Sequence, residues 1–377
     1  MRELGLAPDQ LPRLNDTMRT SVVVLGLAAA VVLAPAEARA QFKNGNQTVL
    51  LNLPRASQRS IVTQRIGLTD ITIVYHRPLA GGRKIFGDVV PYGRVWRAGA
   101  NDNTTIEFTD PVTIDGHALP AGRYGLHMIA TPAEFTVIFS KNSTSWGSFS
   151  YDPQEDALRV TVKPAAGPFR EALTYEFNDL KPESATIALE WDTVVVPFTI
   201  GVDTKSITLA SLRREMRHLP GYKPETYYEA ALYCLDNDFN YDEALKWIDE
   251  AIERDENFDS LDLKAQILER VDKRDEAARL EAKALKMASP QQLFAYGDRL
   301  VREKRLEDAR TFFTNVTRDH PEAWINWYGL AKAQSALGDR EAARKTLEQS
   351  EKYAVSPQYK AALKRLLERL SAGQGIG

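Results

Sequence analysis

The chain contains a single cysteine, Cys234, so no disulfide can form within it. Its formal net charge of −3 over 377 residues gives no reason to expect nucleic acid or a charged membrane as partner. Only five histidines are present, and none belongs to an HxH pair, an HExxH helix or a cysteine cluster. Three of them, His76, His117 and His127, lie in the front half and could meet only through the fold. The sequence therefore predicts no metal site and no cofactor.

The signatures of several enzyme classes are missing as well. No GxSxG elbow accompanies the serines near residue 146, and the run Gly81-Gly82-Arg83-Lys84 lacks the spacing of a phosphate-binding P-loop. Asp152, Glu155 and Asp156 lack the glycine-bearing loop of a calcium hand. A carbohydrate-active or other hydrolytic enzyme thus remains only the alternative to a binding protein.

The N-terminus has the pattern of a secretory signal peptide. A short positive stretch that begins at Met18, itself a candidate start, precedes the apolar run Ser21–Leu33, and Ala38-Arg39-Ala40 forms a small-residue cleavage site. The apolar run is too short to span a bilayer comfortably. We expect residues 1–40 to be removed, leaving a soluble periplasmic or secreted bacterial protein that begins at Gln41.

Residues 50–200 are typical of an all-β domain. Short runs alternate with a period of two between turn residues, and Asp115-Gly116 favours a tight hairpin. One apolar face on each strand predicts a β-sandwich. The clearest strand segments are 71–75, 135–139, 158–162 and 186–191.

The period changes near residue 205. Residues 205–222 are predicted to form a connecting helix, and residues 225–371 repeat at intervals of about 34 residues. Small residues recur where two antiparallel helices would approach each other closely. This pattern resembles the tetratricopeptide repeat, with four units and a cap helix, and predicts an all-α helical solenoid. The recurring positions are Ala244, Ala277, Ala309 and Ala343, each followed seven residues later by Ala251, Ala284, Val316 and Ser350.

Residues 76–103 form a glycine-rich segment that favours neither helix nor strand. Its aromatic and basic side chains would suit a small anionic or carbohydrate ligand at the β domain. In the alternative interpretation Trp96 fills the core, and Arg97 and Asn101 hold the segment's own backbone. The predicted ligand-binding residues are Arg77, Arg83, Lys84, Tyr92, Arg94, Trp96, Arg97 and Asn101.

The front domain resembles the DUF2911 family, a domain of unknown function found in exported bacterial proteins. The motifs GRKIFG, VPYG-VWRAGAN, PAG-Y and WG occur in that order over about residues 50–200. One departure is His76 in the run Tyr75-His76-Arg77-Pro78, where the family commonly has serine. The resemblance implies a fold and no activity.

The first repeat unit is strongly acidic. Such a charge run is usually a solvated face, but it would also attract a basic protein or peptide segment. We therefore expect a non-catalytic binding or scaffold protein of the cell envelope, with a protein or peptide partner on the repeats. The predicted partner-binding residues are Asp242, Glu243, Asp249 and Glu250.

Overall fold

The computed structural model describes residues 54–376, so the predicted signal peptide lies outside the described residues. A strand-rich region is followed by helices, and both belong to the compact unit that begins at Ser57. No helix within the described range is both long and apolar enough to cross a membrane.

Eleven strands make up the strand-rich region of the described chain. They are β1 (Gln58–Ile66), β2 (Thr69–Arg77), β3 (Val95–Trp96), β4 (Thr105–Phe108), β5 (Val112–Ile114), β6 (His117–Leu119), β7 (Gly122–Ala130), β8 (Phe135–Ser140), β9 (Asp156–Val162), β10 (Ala165–Lys181) and β11 (Ser184–Val202).

These strands form two antiparallel sheets that enclose one core. The seven-stranded sheet has the order β1-β2-β4-β7-β8-β9, with β3 on β7, and the four-stranded sheet has the order β10-β11-β5-β6. Alternate residues of β2, such as Ile73 and Tyr75, point into the core, where Trp191 of the second sheet is also buried. Asp115 and Gly116 both have positive φ in the β5–β6 turn, as a type I′ hairpin requires. The predicted β-sandwich is confirmed.

Ten helices follow in the part of the chain that the structure describes. They are α1 (Thr204–Glu215), α2 (Pro224–Asp236), α3 (Tyr241–Arg254), α4 (Phe258–Arg270), α5 (Arg274–Leu285), α6 (Pro290–Arg302), α7 (Leu306–Asp319), α8 (Trp324–Ala336), α9 (Arg340–Tyr353) and α10 (Pro357–Ser371). A 3-10 turn at Leu219–Tyr222 separates α1 from α2. The helices from α2 onward pair into an antiparallel solenoid, as predicted.

Small residues bring the solenoid helices together. The ring of Phe313 on α7 lies against Gly297 of α6 and Gly329 of α8. A Cβ atom at either glycine would approach that ring to 2.4 or 2.3 Å. Because real Cβ contacts are never that short, both positions must stay glycine for the fully buried Phe313 to fit.

One residue separates the sandwich from α1, the helix that leads to the solenoid. β11 ends at Val202 and α1 begins at Thr204, and the Asp203 carboxylate caps the helix by accepting a hydrogen bond from the Ser206 backbone (3.1 Å). A second tie comes from Lys205, whose Nζ donates to the Asn237 carbonyl at the end of α2 (2.8 Å).

Candidate functional site

The outer face of the seven-stranded sheet, which points away from the core, carries a row of polar side chains. Thr105 of β4 pairs with Gly125 of β7. Asn103 lies two residues before Thr105. Because the register continues, it lies between His76 of β2 and His127 of β7. Neighbouring strands thus bring these three side chains together.

These outer-face residues are buried although they lie outside the core. The exposed fraction is 7 % for His76, 9 % for Asn103 and 1 % for His127. The segment that follows β8 contacts two of them, Asn103 through the Asn142 carbonyl and His127 through the Ser148 hydroxyl. Burying polar side chains without hydrogen-bond partners lowers the stability of a folded chain. A buried polar row of this kind therefore points to a functional role.

A cavity of about 380 Å³ opens over this face. Its wall combines cations, one carboxylate, amide and hydroxyl groups, and an indole ring that is 45 % exposed. The lining residues are Arg59, Val74, His76, Asp102, Asn103, Thr105, Arg123, Ser143, Thr144, Ser145 and Trp146.

Only one end of the Asn103 side-chain amide is hydrogen-bonded. Its Nδ2 donates to the Asn142 carbonyl (3.3 Å) and to Ser145 Oγ (3.4 Å). Since a carbonyl can only accept, the Asn142 contact fixes the orientation of the amide. The buried Oδ1 atom then has no hydrogen-bond partner among residues 54–376.

Two histidines in this row have different surroundings. His76 Nε2 lies 3.6 Å from Asp102 Oδ2 at the edge of the cavity. His127 is enclosed, and its Nδ1 lies 2.8 Å from Ser148 Oγ. Burial lowers the pKa of His127 to about 4, although nearby Asp156 partly opposes the shift. His127 is therefore neutral at pH 7.

Several side chains of the glycine-rich segment donate hydrogen bonds to acceptors within the same domain. Arg77 donates from Nε to the Leu173 carbonyl (2.9 Å) and from a terminal nitrogen to Thr174 Oγ1 (2.6 Å). Arg83 donates to the carbonyl of Leu79 (2.6 Å). These guanidinium groups fasten the segment to itself and to β10.

Trp96 and Asn101 are also engaged in structural contacts. The Trp96 ring stacks on the core residue Trp191 at 6.0 Å between centroids, and its Nε1 donates to the Gly99 carbonyl (3.0 Å). Asn101 Nδ2 donates to the Ser57 carbonyl (3.1 Å). These contacts favour the alternative in which the segment is a structural lid.

The other residues predicted in the segment differ in exposure. Lys84, Tyr92 and Arg94 are exposed. Arg97 is half-buried near the ring of Phe149 (5.7 Å), and its buried Nε has no partner in the described chain. Desolvation lowers the pKa of Arg97. Their role in ligand binding stays a prediction.

On the solenoid, three of the four predicted partner-binding acids of α3 are engaged in ion pairs, while Asp242 is exposed. The pairs are Glu243 with Arg213 (2.6 Å), Asp249 with Lys264 (2.7 Å) and Glu250 with Arg254 (2.7 Å). Their role in partner binding likewise stays a prediction.

A different acidic surface lies between α2 and the start of α4. A cavity of about 290 Å³ there is lined by four exposed acids and the half-buried ring of Tyr228, and its described lining contains no cation. Burial raises the pKa of the Tyr228 hydroxyl, and the negative charges of Asp259, Asp262 and Asp236 raise it further. The lining residues are Pro224, Glu225, Tyr228, Glu229, Ala251, Asp255, Asn257, Asp259 and Ser260.

Two family models match the chain. Residues 57–200 match DUF2911, a protein family of unknown function, and residues 300–366 match the tetratricopeptide repeat. The DUF2911 match thus precedes the tetratricopeptide match along the chain. The sequence-based resemblance to both families, in this order, is confirmed.

Solved structures similar to this chain include YrrB, PilF and PilW. YrrB, described as a TPR protein with an unusual peptide-binding site, is 20 % identical, with 42 % of this chain and 86 % of YrrB covered and a TM-score of 0.27. PilF of Pseudomonas aeruginosa is 20 % identical, with 42 % and 80 % covered and a TM-score of 0.28. PilW, a type IV pilus biogenesis factor, is 22 % identical, with 40 % and 70 % covered and a TM-score of 0.28. The comparison with curated proteins found no match.

Sequence reasoning did not select the residues around the outer-face cavity, because they come from five separate stretches of chain. Arg59, Asn103 and Arg123 carry no motif, and only the sheet register brings them together. One signal was available: His76 replaces the serine common in the DUF2911 family, and it lies in this cavity.

Proposed function

We propose that this chain is an exported, non-catalytic scaffold protein of the cell envelope that binds a protein partner through its solenoid. The tetratricopeptide match supports a protein-binding role for the repeats. The observation that carries the proposal is the acidic cavity beside Tyr228, where exposed carboxylates surround an aromatic ring. A lysine- or arginine-bearing segment is the partner whose charge complements it.

Two acids of later helices, in contrast, are neutralised by ion pairs within the solenoid. Asp262 of α4 forms a bidentate ion pair with Arg299 of α6 (2.6 and 2.7 Å), and Asp298 of α6 pairs with Lys332 of α8 (2.6 Å). The four acids of the cavity form no such ion pair among the described residues. A basic segment would be held there.

A fluorescent Lys- and Arg-rich peptide, compared with a neutral peptide of the same length, tests this site on the full chain. We expect Glu225→Gln with Glu229→Gln to weaken binding of the basic peptide about tenfold, or about 1.4 kcal/mol. Added salt should weaken wild-type binding as well, because exposed charges are screened.

The matched control is Glu322→Gln with Glu368→Gln, which removes two exposed acids from the C-terminal part of the solenoid, outside the cavity. That variant should retain wild-type affinity. Equal losses in the two double variants would contradict a localised site, and equal affinity for the neutral peptide would remove the charge argument.

Export is the second part of the proposal, and the pattern at residues 18–40 supports it. We expect the mature protein in a bacterial host to begin at Gln41. N-terminal sequencing of the protein from the periplasm or medium measures this, and an intact chain confined to the cytosol would refute it.

The geometry supports recognition better than hydrolysis at the β domain. A His–acid pair does lie in a cavity with Ser145, but its 3.6 Å separation is longer than a hydrogen bond. The hydrogen-bond contacts of the Ser145 hydroxyl are instead with Asn103 Nδ2 (3.4 Å) and the Gly147 carbonyl (3.5 Å).

A further inference from the structure

The chain turns back onto the solenoid after α10. Gly373 has a φ of +77°, and its N–H donates to the Leu370 carbonyl (3.0 Å), while the Gln374 N–H donates to the Arg369 carbonyl (2.9 Å). This pair of bonds is the Schellman arrangement, which ends a helix and favours glycine at the left-handed position. We call residues 373–376 the returning segment.

Side chains of two helices bind the main chain of the returning segment. Ser335 of α8 accepts a hydrogen bond at Oγ from the Ile376 N–H (3.0 Å). Arg369 of α10 donates from a terminal nitrogen to the Gly375 carbonyl (2.9 Å). In peptide recognition, hydrogen bonds to the main chain commonly provide affinity, and a pocket for a side chain provides specificity.

The side chain of Ile376 fills such a pocket. Ile376 is 2 % exposed and belongs to the apolar cluster of α8, α9 and α10, together with Ala331, Leu347 and Leu370. Residues 371–375 are exposed. One apolar side chain is therefore anchored in the solenoid, while the chain that leads to it lies in solvent.

The position before the anchor does not require glycine. Gly375 lies outside the left-handed region, and a Cβ atom there would meet Ser335 Oγ at 3.6 Å, which is an ordinary contact. A segment with another residue at this position would keep the same main-chain hydrogen bonds. The pocket that holds Ile376 is therefore the selective part of the site.

The returning segment is held by few interactions. Gly373 and Gly375 lose more conformational entropy on ordering than other residues do, and Gln374 between them is exposed. One buried side chain and two hydrogen bonds to side chains oppose that loss. A segment with so few buried contacts opens more easily than the packed helices beneath it.

We propose that the pocket of Ile376 is a peptide-binding site whose resident ligand is the returning segment. The ligand class is an extended peptide whose main chain pairs with Ser335 and Arg369 and whose isoleucine-sized side chain fills the pocket. Such a segment of a protein partner binds when the returning segment leaves. The site lies in the last helices of the solenoid and selects an apolar side chain, whereas the acidic cavity of α2 and α4 selects a positive charge.

The test measures binding of a labelled hexapeptide, Ala-Gly-Gln-Gly-Ile-Gly, which has the sequence of residues 372–377, by fluorescence anisotropy. The Ile376→Asp substitution in the full chain releases the returning segment, because an unpaired charge is too costly in the apolar pocket. We expect this variant to bind the peptide about tenfold more tightly than the wild-type chain, in which the resident segment competes. The same peptide with aspartate in place of isoleucine should bind neither chain.

Three results of this titration would overturn the proposal. They are binding to the variant that is no tighter than binding to the wild-type chain, no binding to the variant at millimolar concentration, and equal binding of the two peptides.

A milder variant separates a resident ligand from a structural cap. Ile376→Ala removes most of the anchor without adding a charge, and it should also bind the hexapeptide more tightly than the wild-type chain while its helical circular dichroism stays unchanged. If Ile376→Ala loses helical structure, or melts at a lower temperature without gaining peptide binding, the segment is a structural cap and the proposal is wrong.

Two further substitutions, each made in the Ile376→Ala chain, locate the site. Ser335→Ala and Arg369→Gln should each weaken hexapeptide binding about fivefold, because each removes one hydrogen bond to the peptide main chain. The matched control is Arg365→Gln, which removes an exposed cation one turn earlier on α10 and should bind normally. Unchanged binding in either site variant, or an equal loss in the control, would overturn this location.

Discussion

Two parts of the β domain use similar residue types in opposite ways: the hydrogen-bond donors of the glycine-rich segment, and the outer sheet face to which the last residue of that segment, Asn103, belongs. In the segment, Arg77, Arg83 and Trp96 donate to carbonyl groups of the domain itself. On the sheet face, Asn103 keeps a buried acceptor without a donor and Arg59 is unengaged within the described residues. A high density of arginine and aromatic residues therefore does not identify a binding surface. Unmatched hydrogen-bonding capacity is the better guide.

The largest expected effect is a pH dependence of stability that comes from His127, which is buried on the sheet face. Its pKa in the folded chain is about 4, below the ordinary value of 6.5. Above pH 6.5 the histidine is neutral in both states and its contribution is fully present. As the pH falls from 6.5 to 4 the unfolded chain takes up a proton that the folded chain does not, so stability falls by up to about 3 kcal/mol.

Thermal melting of the full chain between pH 7 and 4 measures this loss. His127→Gln should remove most of the additional acid sensitivity, whereas His117→Gln, at an exposed position of β6, should retain it. An unchanged pH dependence in the His127 variant would show that the buried His127 does not cause the loss of stability in acid.

A smaller effect on stability distinguishes an arginine of the glycine-rich segment that is hydrogen-bonded to the domain from one that is exposed. Arg77→Ala leaves the Leu173 carbonyl and the Thr174 hydroxyl without their donor, so we expect a loss of about 2 kcal/mol and a lower melting temperature. Arg94→Ala removes an exposed charge and should change stability by less than about 0.5 kcal/mol. Calorimetric melting of both variants checks the difference, and a large loss for Arg94→Ala would break the comparison.

The elements of the fold were predictable from local patterns. Alternation at residues 71–75 and the turn residues Asp115-Gly116 specify strands and a hairpin because side-chain period and positive φ are properties of short segments. The recurring alanines at 244, 277, 309 and 343 predict the helix pairs for the same reason, since each is buried where two helices meet. Neighbouring residues carry all of this information.

The candidate site was not predictable in the same way. Whether Arg77 meets a ligand or the Leu173 carbonyl depends on a contact across 96 positions of sequence. The cavity likewise requires β1, β4 and β7 to adopt a particular register before Arg59, Asn103 and Arg123 share one wall. Sequence shows which donors exist, but only the packed sheets show which of them remain available.

The single residue between β11 and α1 has a consequence for how the chain would engage two ligands at once. With Asp203 capping the helix and Lys205 tied to Asn237, the sandwich and the first solenoid unit are joined directly, without a flexible tether. A tether would let the two surfaces search for sites at many separations, with an effective concentration set by its length. Here the spacing is a property of the fold. A bivalent partner would have to match that span to gain avidity.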